Sequence, residues 1–145
     1  MRKILSGLLT LVVGAFSFHA TAADGLIAAD EAYAAAKRGE LLIIDVRTPS
    51  EWRDTGIPEG AKTADFNSPL GLKAFIDAVT EAVASDKARP IAVICRSGNR
   101  STRAKIALEA NGFTHVLNIR EGMSGSGAGP GWLGRSLPVA PCRTC

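Results

Sequence analysis

Pro90-Ile91-Ala92-Val93-Ile94-Cys95-Arg96-Ser97-Gly98-Asn99-Arg100-Ser101-Thr102 is the stretch whose reading decides the architecture. Ile91 to Ile94 has the length and β-branching of a buried strand, and Pro90 marks its start. Ser101 or Thr102 is suited to cap the periodic stretch Arg103 to Ala110, which reads as a helix. A buried strand, a tight loop and a helix in that order place Cys95 at the carboxyl end of a parallel strand. In open α/β sheets ligands bind at that end.

Outward from this unit the chain repeats the pattern. Ala28-Ala29-Asp30-Glu31 opens a helix with Asp30 as N-cap, Ala32, Tyr33 and Ala36 on its buried side, and Gly39 as a left-handed stop. Leu41 to Ile44 is a second continuous apolar run, a strand buried on both faces, and it ends at Asp45-Val46-Arg47. Thr48-Pro49-Ser50-Glu51 is a capping box with proline at the first helical position. Gly56 and Pro58 keep that helix short. Ala61 to Phe66 is a weaker strand signal. From Ser68-Pro69 to about Ser85, Leu72, Phe75, Ile76, Val79 and Val83 recur at helical spacing, which reads as core packing. Asn111-Gly112 ends the helix after Cys95, and His115 to Ile119 is a further strand. Strands alternating with helices predict a parallel α/β sheet with helices on both faces. Glu121 to Gly134 is rich in glycine and serine, and composition favours a flexible loop. The alternative is a lid with Met123 or Trp132 as apolar contacts. It is not a Walker loop, since no Gly-Lys-Ser/Thr is present. Pro138 to Cys145 reads as a poorly ordered tail.

The 145 residues suffice for one domain, and its first part is not counted in it. Arg2-Lys3, the apolar stretch Ile4 to Phe18 and Ala20-Thr21-Ala22 form a secretory signal-peptide pattern over residues 1–22, too short for a membrane span. The expected layout is signal peptide 1–22, domain 23–139 and tail 140–145, with export to the periplasm and secretion as the alternative. Of 17 Lys and Arg, Arg2 and Lys3 leave with the peptide, so 15 face 14 Asp and Glu, which does not suggest a nucleic-acid partner. His19 leaves too, so any histidine base must be His115, and a His-rich metal site is excluded by count. Cys95, Cys142 and Cys145 remain. An odd number in an exported chain suggests one leftover reactive thiol, with Cys142 and Cys145 able to close on each other.

A lone cysteine after four apolar residues is ordinarily a small buried hydrophobe. Here a glycine and two arginines crowd the next five positions, which favours a reactive thiolate. A free thiol has a pKa near ~8.5. Inward amides of a tight loop form an anion nest, and a helix dipole contributes about 0.3–1 kcal/mol, up to ~2 when partly buried. With ~1.36 kcal/mol per pKa unit, the dipole lowers the pKa by about one unit, and Arg96 or Arg100 can add more. Cys95 is therefore expected to be largely ionised near neutral pH.

Cys95-Arg96-Ser97-Gly98-Asn99-Arg100-Ser101 resembles the active loop of single-domain rhodaneses, sulfurtransferases that carry sulfane sulfur as a cysteine persulfide. The run Leu41 to Trp52, Gly56 to Ala61, and Gly131-Trp132-Leu133 through Leu137-Pro138 are similar to three further boxes of that family. The resemblance implies a central parallel five-stranded sheet and ping-pong chemistry on Cys95 without metal, cofactor or histidine base. It implies a small-molecule sulfur donor such as thiosulfate, and a thiol or cyanide acceptor or a thiol-carrying protein. The amides from Arg96 to Ser101 would hold the persulfide anion, Arg100 and less directly Arg96 the donor's sulfonate, and Asp45 and Arg47 would brace the loop. Gly56-Ile57 lacks the histidine often found in the second box, and Glu59 interrupts it. Three other readings compete. A phosphatase of the same fold needs Cys-x5-Arg, where this chain has Ser101. A thiol-redox or sulfur-carrier protein would use Cys142-x-x-Cys145. A binding module would keep the fold without catalysis.

Overall fold

The computed structural model describes residues 25–145; the segment read as a signal peptide lies outside them. Helix α1 (Ala29–Lys37) is followed by strand β1 (Leu42–Asp45), helix α2 (Pro49–Thr55), short strands β2 (Ile57–Pro58) and β3 (Lys62–Thr63), and helix α3 (Leu72–Ala82). Strand β4 (Ile91–Ile94), helix α4 (Asn99–Ala110), strand β5 (Val116–Ile119), the single-turn helix α5 (Gly131–Gly134) and strand β6 (Val139–Ala140) complete the order. Among the described residues no helix is long and apolar enough to cross a membrane.

The main sheet is parallel, in the order β3-β1-β4-β5, with β4 paired to β1 along one edge and to β5 along the other. It has four strands rather than the five expected. At the outer edge of β5, where a fifth would lie, only Leu26 forms a parallel bridge to Asn118, held by Asn118 N–H to Gly25 O (2.8 Å) and Ile27 N–H to Asn118 O (3.1 Å). The chain enters α1 three residues later, so among the described residues the pairing goes no further than Leu26.

Both faces of the sheet are covered, and the period-two alternation of strand side chains divides the core. Leu42, Ile44, Ile91 and Val93 pack with Phe75 and Val79 of α3 and Leu108 of α4. Ile43, Ala92, Ile94 and Ile119 pack with Ala29, Ala32 and Ala35 of α1 and with Met123 and Trp132. Tyr33 and Ala36 are only partly buried, at the margin of that cluster. α3 starts at Leu72, after a turn over residues 68–71, so it is shorter than the Ser68–Ser85 expectation and Leu72 is exposed.

Helix α1 has no side-chain cap of its own, and Asp30 sits within the first turn, where its charge favours the helix dipole, rather than at the cap. The capping acceptor comes from far away. The Ala29 N–H donates to Glu121 Oε1 at 2.7 Å, while Glu121 Oε2 accepts from Gly131 N–H at 2.8 Å and the carboxylate also meets Arg135.

Residues 121–134 are therefore neither a flexible loop nor a lid. Met123 and Trp132 are fully buried in the core under α1. The Trp132 ring meets Tyr33 edge-on at 5.6 Å, and its Nε1–H donates to Pro138 O at 3.0 Å. The glycines serve close backbone crossing. Gly131 has φ +82°, and a Cβ there would overlap the Gly125 amide and lie 2.9 Å from Gly122 O. The tail is ordered too: β6 pairs antiparallel with β2 and runs across the expected boundary at residue 139. Replacing Trp132 by Ala should cost about 3–5 kcal/mol, seen as a lower urea midpoint at unchanged slope. An unchanged midpoint would mean that this segment is not part of the core.

Candidate active site

Cys95 directly follows β4, and only 1% of its surface is exposed. The chain then turns back over the sulfur. The Gly98 N–H donates to Cys95 Sγ at 3.1 Å, and Ser101 Oγ lies 3.4 Å from the sulfur. α4 begins earlier than its capping residues suggested. Gly98, in the left-handed region at φ 99°, occupies the cap position, while Ser101 and Thr102 lie in the first turn and donate their hydroxyls to Gly98 O at 3.1 and 2.7 Å. The first turn of α4 thus sits directly over the thiol. Only glycine fits at position 98, since a Cβ there would overlap Arg120 O.

Burial pushes the Cys95 thiol up. Against it act the Ser101 hydroxyl and the amides of Ser101, Gly98 and Ser97, and together they hold the pKa below its ordinary value. The direction and the inward amides agree with expectation; the Ser101 hydroxyl is the contact not anticipated, and Arg100 acts only through its charge, without a hydrogen bond to the sulfur. The Ser101 hydroxyl has one proton and two acceptors, Gly98 O and an ionised sulfur. In the structure the hydroxyl donates to Gly98 O and accepts from the thiol, and it is able to donate to the sulfur once that is ionised.

The loop is backed by the chain after β5. Met123 N–H donates to Cys95 O and Ser124 N–H to Arg96 O, both at 2.9 Å. From the other side Arg100 is held by Glu51, with both guanidinium nitrogens 2.6 Å from the two carboxylate oxygens. Glu51 completes the capping box with Thr48, as the sequence anticipated. The Arg100 guanidinium, followed by the Thr48 contacts, outweighs burial and holds the Glu51 carboxyl down at about 2. Arg100 was expected to grip a sulfonate, but its fork is already filled by a carboxylate. Arg96 is exposed on the loop.

Asp45 and Arg47 form a buried ion pair at 2.7 Å. Arg47 also donates to Thr55 Oγ1 and Gly56 O, each at 2.7 Å, and to Glu51 O at 3.3 Å. It thereby satisfies the carbonyl of Gly56, the cap residue that ends α2. The pair braces α2, and α2 holds the loop through Glu51. Such a pair costs desolvation, which these additional hydrogen bonds offset.

Other expected side chains lie apart from the sulfur. Ser97, whose amide serves the cradle, and Asn99 are exposed on the loop's outer rim. Cys142 and Cys145 form a disulfide with Cα atoms 5.7 Å apart, and Arg53 Nη1 donates to Cys145 O at 2.6 Å. Among the described residues no three His, Cys, Asp or Glu side chains gather into a metal-binding group. Glu51 is the site residue that local reading missed. It looked complete as a helix cap, and its second partner lies 49 positions along the chain.

A strand-end cysteine under a cradle of amides, on a parallel sheet covered by helices, can be compared with known proteins. The family model described as the rhodanese-like domain matches residues 28–127. An uncharacterised protein of Rickettsia conorii is 33% identical over 118 residues, spanning 79% of this chain and 88% of that one. A sulfurtransferase of Allochromatium vinosum is 28% identical over 100 residues, spanning 69% of this chain and 78% of the relative. Among solved structures, the rhodanese-like domain of an Anabaena protein superimposes with a TM-score of 0.60 at 21% identity, covering 82% of this chain and 80% of that one. With a family model covering more than half its length and a fold to match, this chain belongs to the rhodanese-like domain family.

Proposed function

We propose that the protein is a sulfurtransferase that moves sulfane sulfur from thiosulfate or a related donor to a thiophilic acceptor through a persulfide on Cys95. The observation that carries this reading is the Gly98 amide aimed at Cys95 Sγ at 3.1 Å, with Ser101 Oγ beside it. In the first step the Cys95 thiolate attacks the outer sulfur of thiosulfate. The S–S bond of the donor breaks, and sulfite leaves with the electron pair. In the second step a thiolate or cyanide attacks the outer sulfur of the persulfide and releases Cys95 as thiolate. The same amides that favour the thiolate favour the persulfide anion, which carries its charge one atom further out, without reorganisation during the reaction. No proton has to be moved by a histidine.

The near-complete burial of Cys95 has two effects. It raises the cost of the anion, which the amides must meet, and it keeps bulky oxidants from the thiol. That protection suits a free thiol exported to the periplasm. Export rests on the pattern in residues 1–22 alone, and detection of a mature chain beginning at Ala23 in the periplasmic fraction would test it. The phosphatase reading is disfavoured by Ser101. An arginine at that position would clamp phosphate, whereas the serine only places its Oγ 3.4 Å from the sulfur.

Incubation of the protein with thiosulfate, followed by intact mass measurement, should show a gain of one sulfur atom that cyanide or thiol removes and that Cys95→Ser abolishes. No gain would leave a binding module. Ser101→Ala removes the largest of the contacts that lower the thiol, so the pH profile of alkylation of Cys95 should shift to higher pH, with persulfide formation slowed at neutral pH. An unmoved profile would assign the thiolate to the amides alone. The Glu51 carboxyl is held below its unfolded value, so its stabilising contribution is present above about pH 4.5 and is lost as pH falls toward 2. The gap in urea midpoint between wild type and Glu51→Gln should accordingly narrow over that window.

A further inference from the structure

The cysteine loop has a polar flank that the two steps above leave unused. A cavity of about 390 Å³ is lined by Ser97 and Asn99 on the loop's outer rim, by Arg120, and by Ser126, Gly127 and Ala128 of the glycine-rich segment. That volume is in the range of small-molecule sites. The far wall is held in place: Ser126 N–H donates to Gly129 O (2.9 Å), Gly129 N–H to Ser126 O (3.1 Å), Ala128 N–H to Ser126 Oγ and Ser126 Oγ–H to Arg120 O (each 3.1 Å).

Arg120 is the cation of this cavity. Its main-chain oxygen backs Gly98, so the residue sits directly behind the cradle. Arg47, Arg100 and Arg135 all have carboxylate partners, but among the described residues no carboxylate lies within ion-pair distance of Arg120. On its other side Arg120 borders a smaller cavity of about 190 Å³ shared with Glu31 and Glu121, where two carboxylates would repel an anion. An anionic group is therefore favoured on the Ser97 side.

Cys95 is not among the residues lining this cavity, which begins two positions further along the loop and is larger than thiosulfate would fill. We infer that this cavity selects the sulfur acceptor, binding the carboxylate-bearing body of an anionic organic thiol of small-peptide size. Arg120 is its specificity-determining residue. The acceptor's sulfhydryl loses its proton to solvent and attacks the outer sulfur of the Cys95 persulfide. The acceptor leaves as its own persulfide, and Cys95 is returned as thiolate. This inference rests on the persulfide reading.

The test uses the full chain, loaded with thiosulfate and discharged with the tripeptide thiol glutathione or with its diethyl ester, which keeps the body and removes both carboxylates. Arg120→Gln should raise KM for glutathione about fivefold, as loss of a partly screened charge pair would, with kcat unchanged. KM for the diester should not move, and Arg120→Lys should recover part of the loss. An unchanged KM for glutathione, or an equal rise for both thiols, would overturn the role of Arg120 while leaving the sulfurtransferase reading standing. Failure of the wild type to take up sulfur from thiosulfate would overturn both.

Discussion

The site depends on a contest between burial and hydrogen bonding at one sulfur atom. Sealing Cys95 beneath the first turn of α4 disfavours its anion, and in a purely apolar setting the thiol would stay protonated. What reverses the outcome is the Ser101 hydroxyl beside the sulfur together with loop amides that point inward rather than into a regular helix or strand. Those amides are available because the first N–H groups of a helix have no partner within it. The start of α4 is thus spent on the sulfur, not on a side-chain cap, which is why Gly98 stands at the cap position and the hydroxyls expected there do other work.

That arrangement holds only if the loop cannot relax outward, and it is supported from two directions. Behind it, the chain after β5 donates to the carbonyls of Cys95 and Arg96. In front, α2 reaches Arg100 through Glu51 and is itself fixed to β1 by Arg47 and Asp45. The two charged pairs, Asp45 with Arg47 and Glu51 with Arg100, thus form one mechanical path from the sheet to the loop. In this path Arg100 supports the loop, while Arg96 and Arg120 are exposed and take no part in it.

Much of this was legible in the order of residues. The strands β1 and β4 declared themselves as apolar runs buried on both faces, the Thr48 capping box formed as written, and Cys95 lies where a strand-loop-helix unit places it. What failed did so for physical reasons. Glycine composition signals backbone freedom and close backbone crossing equally, so residues 121–134 looked mobile when Gly131 in fact passes against Gly125. Met123 and Trp132 looked like lid contacts because their pairing with α1 lies about 90 to 100 positions back along the chain. The fifth strand was inferred by resemblance, and among the described residues only Leu26 stands in its place. Pairings such as Glu51 with Arg100 leave no local trace.

Glu121 has a bearing on how the chain is assembled. The opening turn of α1 is completed by a carboxylate 92 positions downstream, and that same carboxylate anchors Gly131 and Arg135. The beginning of the domain cannot therefore reach its final state until nearly all of it has emerged. Closure of so distant a loop is slow relative to local helix formation. A chain cut after β5 would keep every strand of the main sheet, yet its first helix would have a frayed end and an uncovered apolar face, and the cysteine loop would lose its backing from Met123 and Ser124.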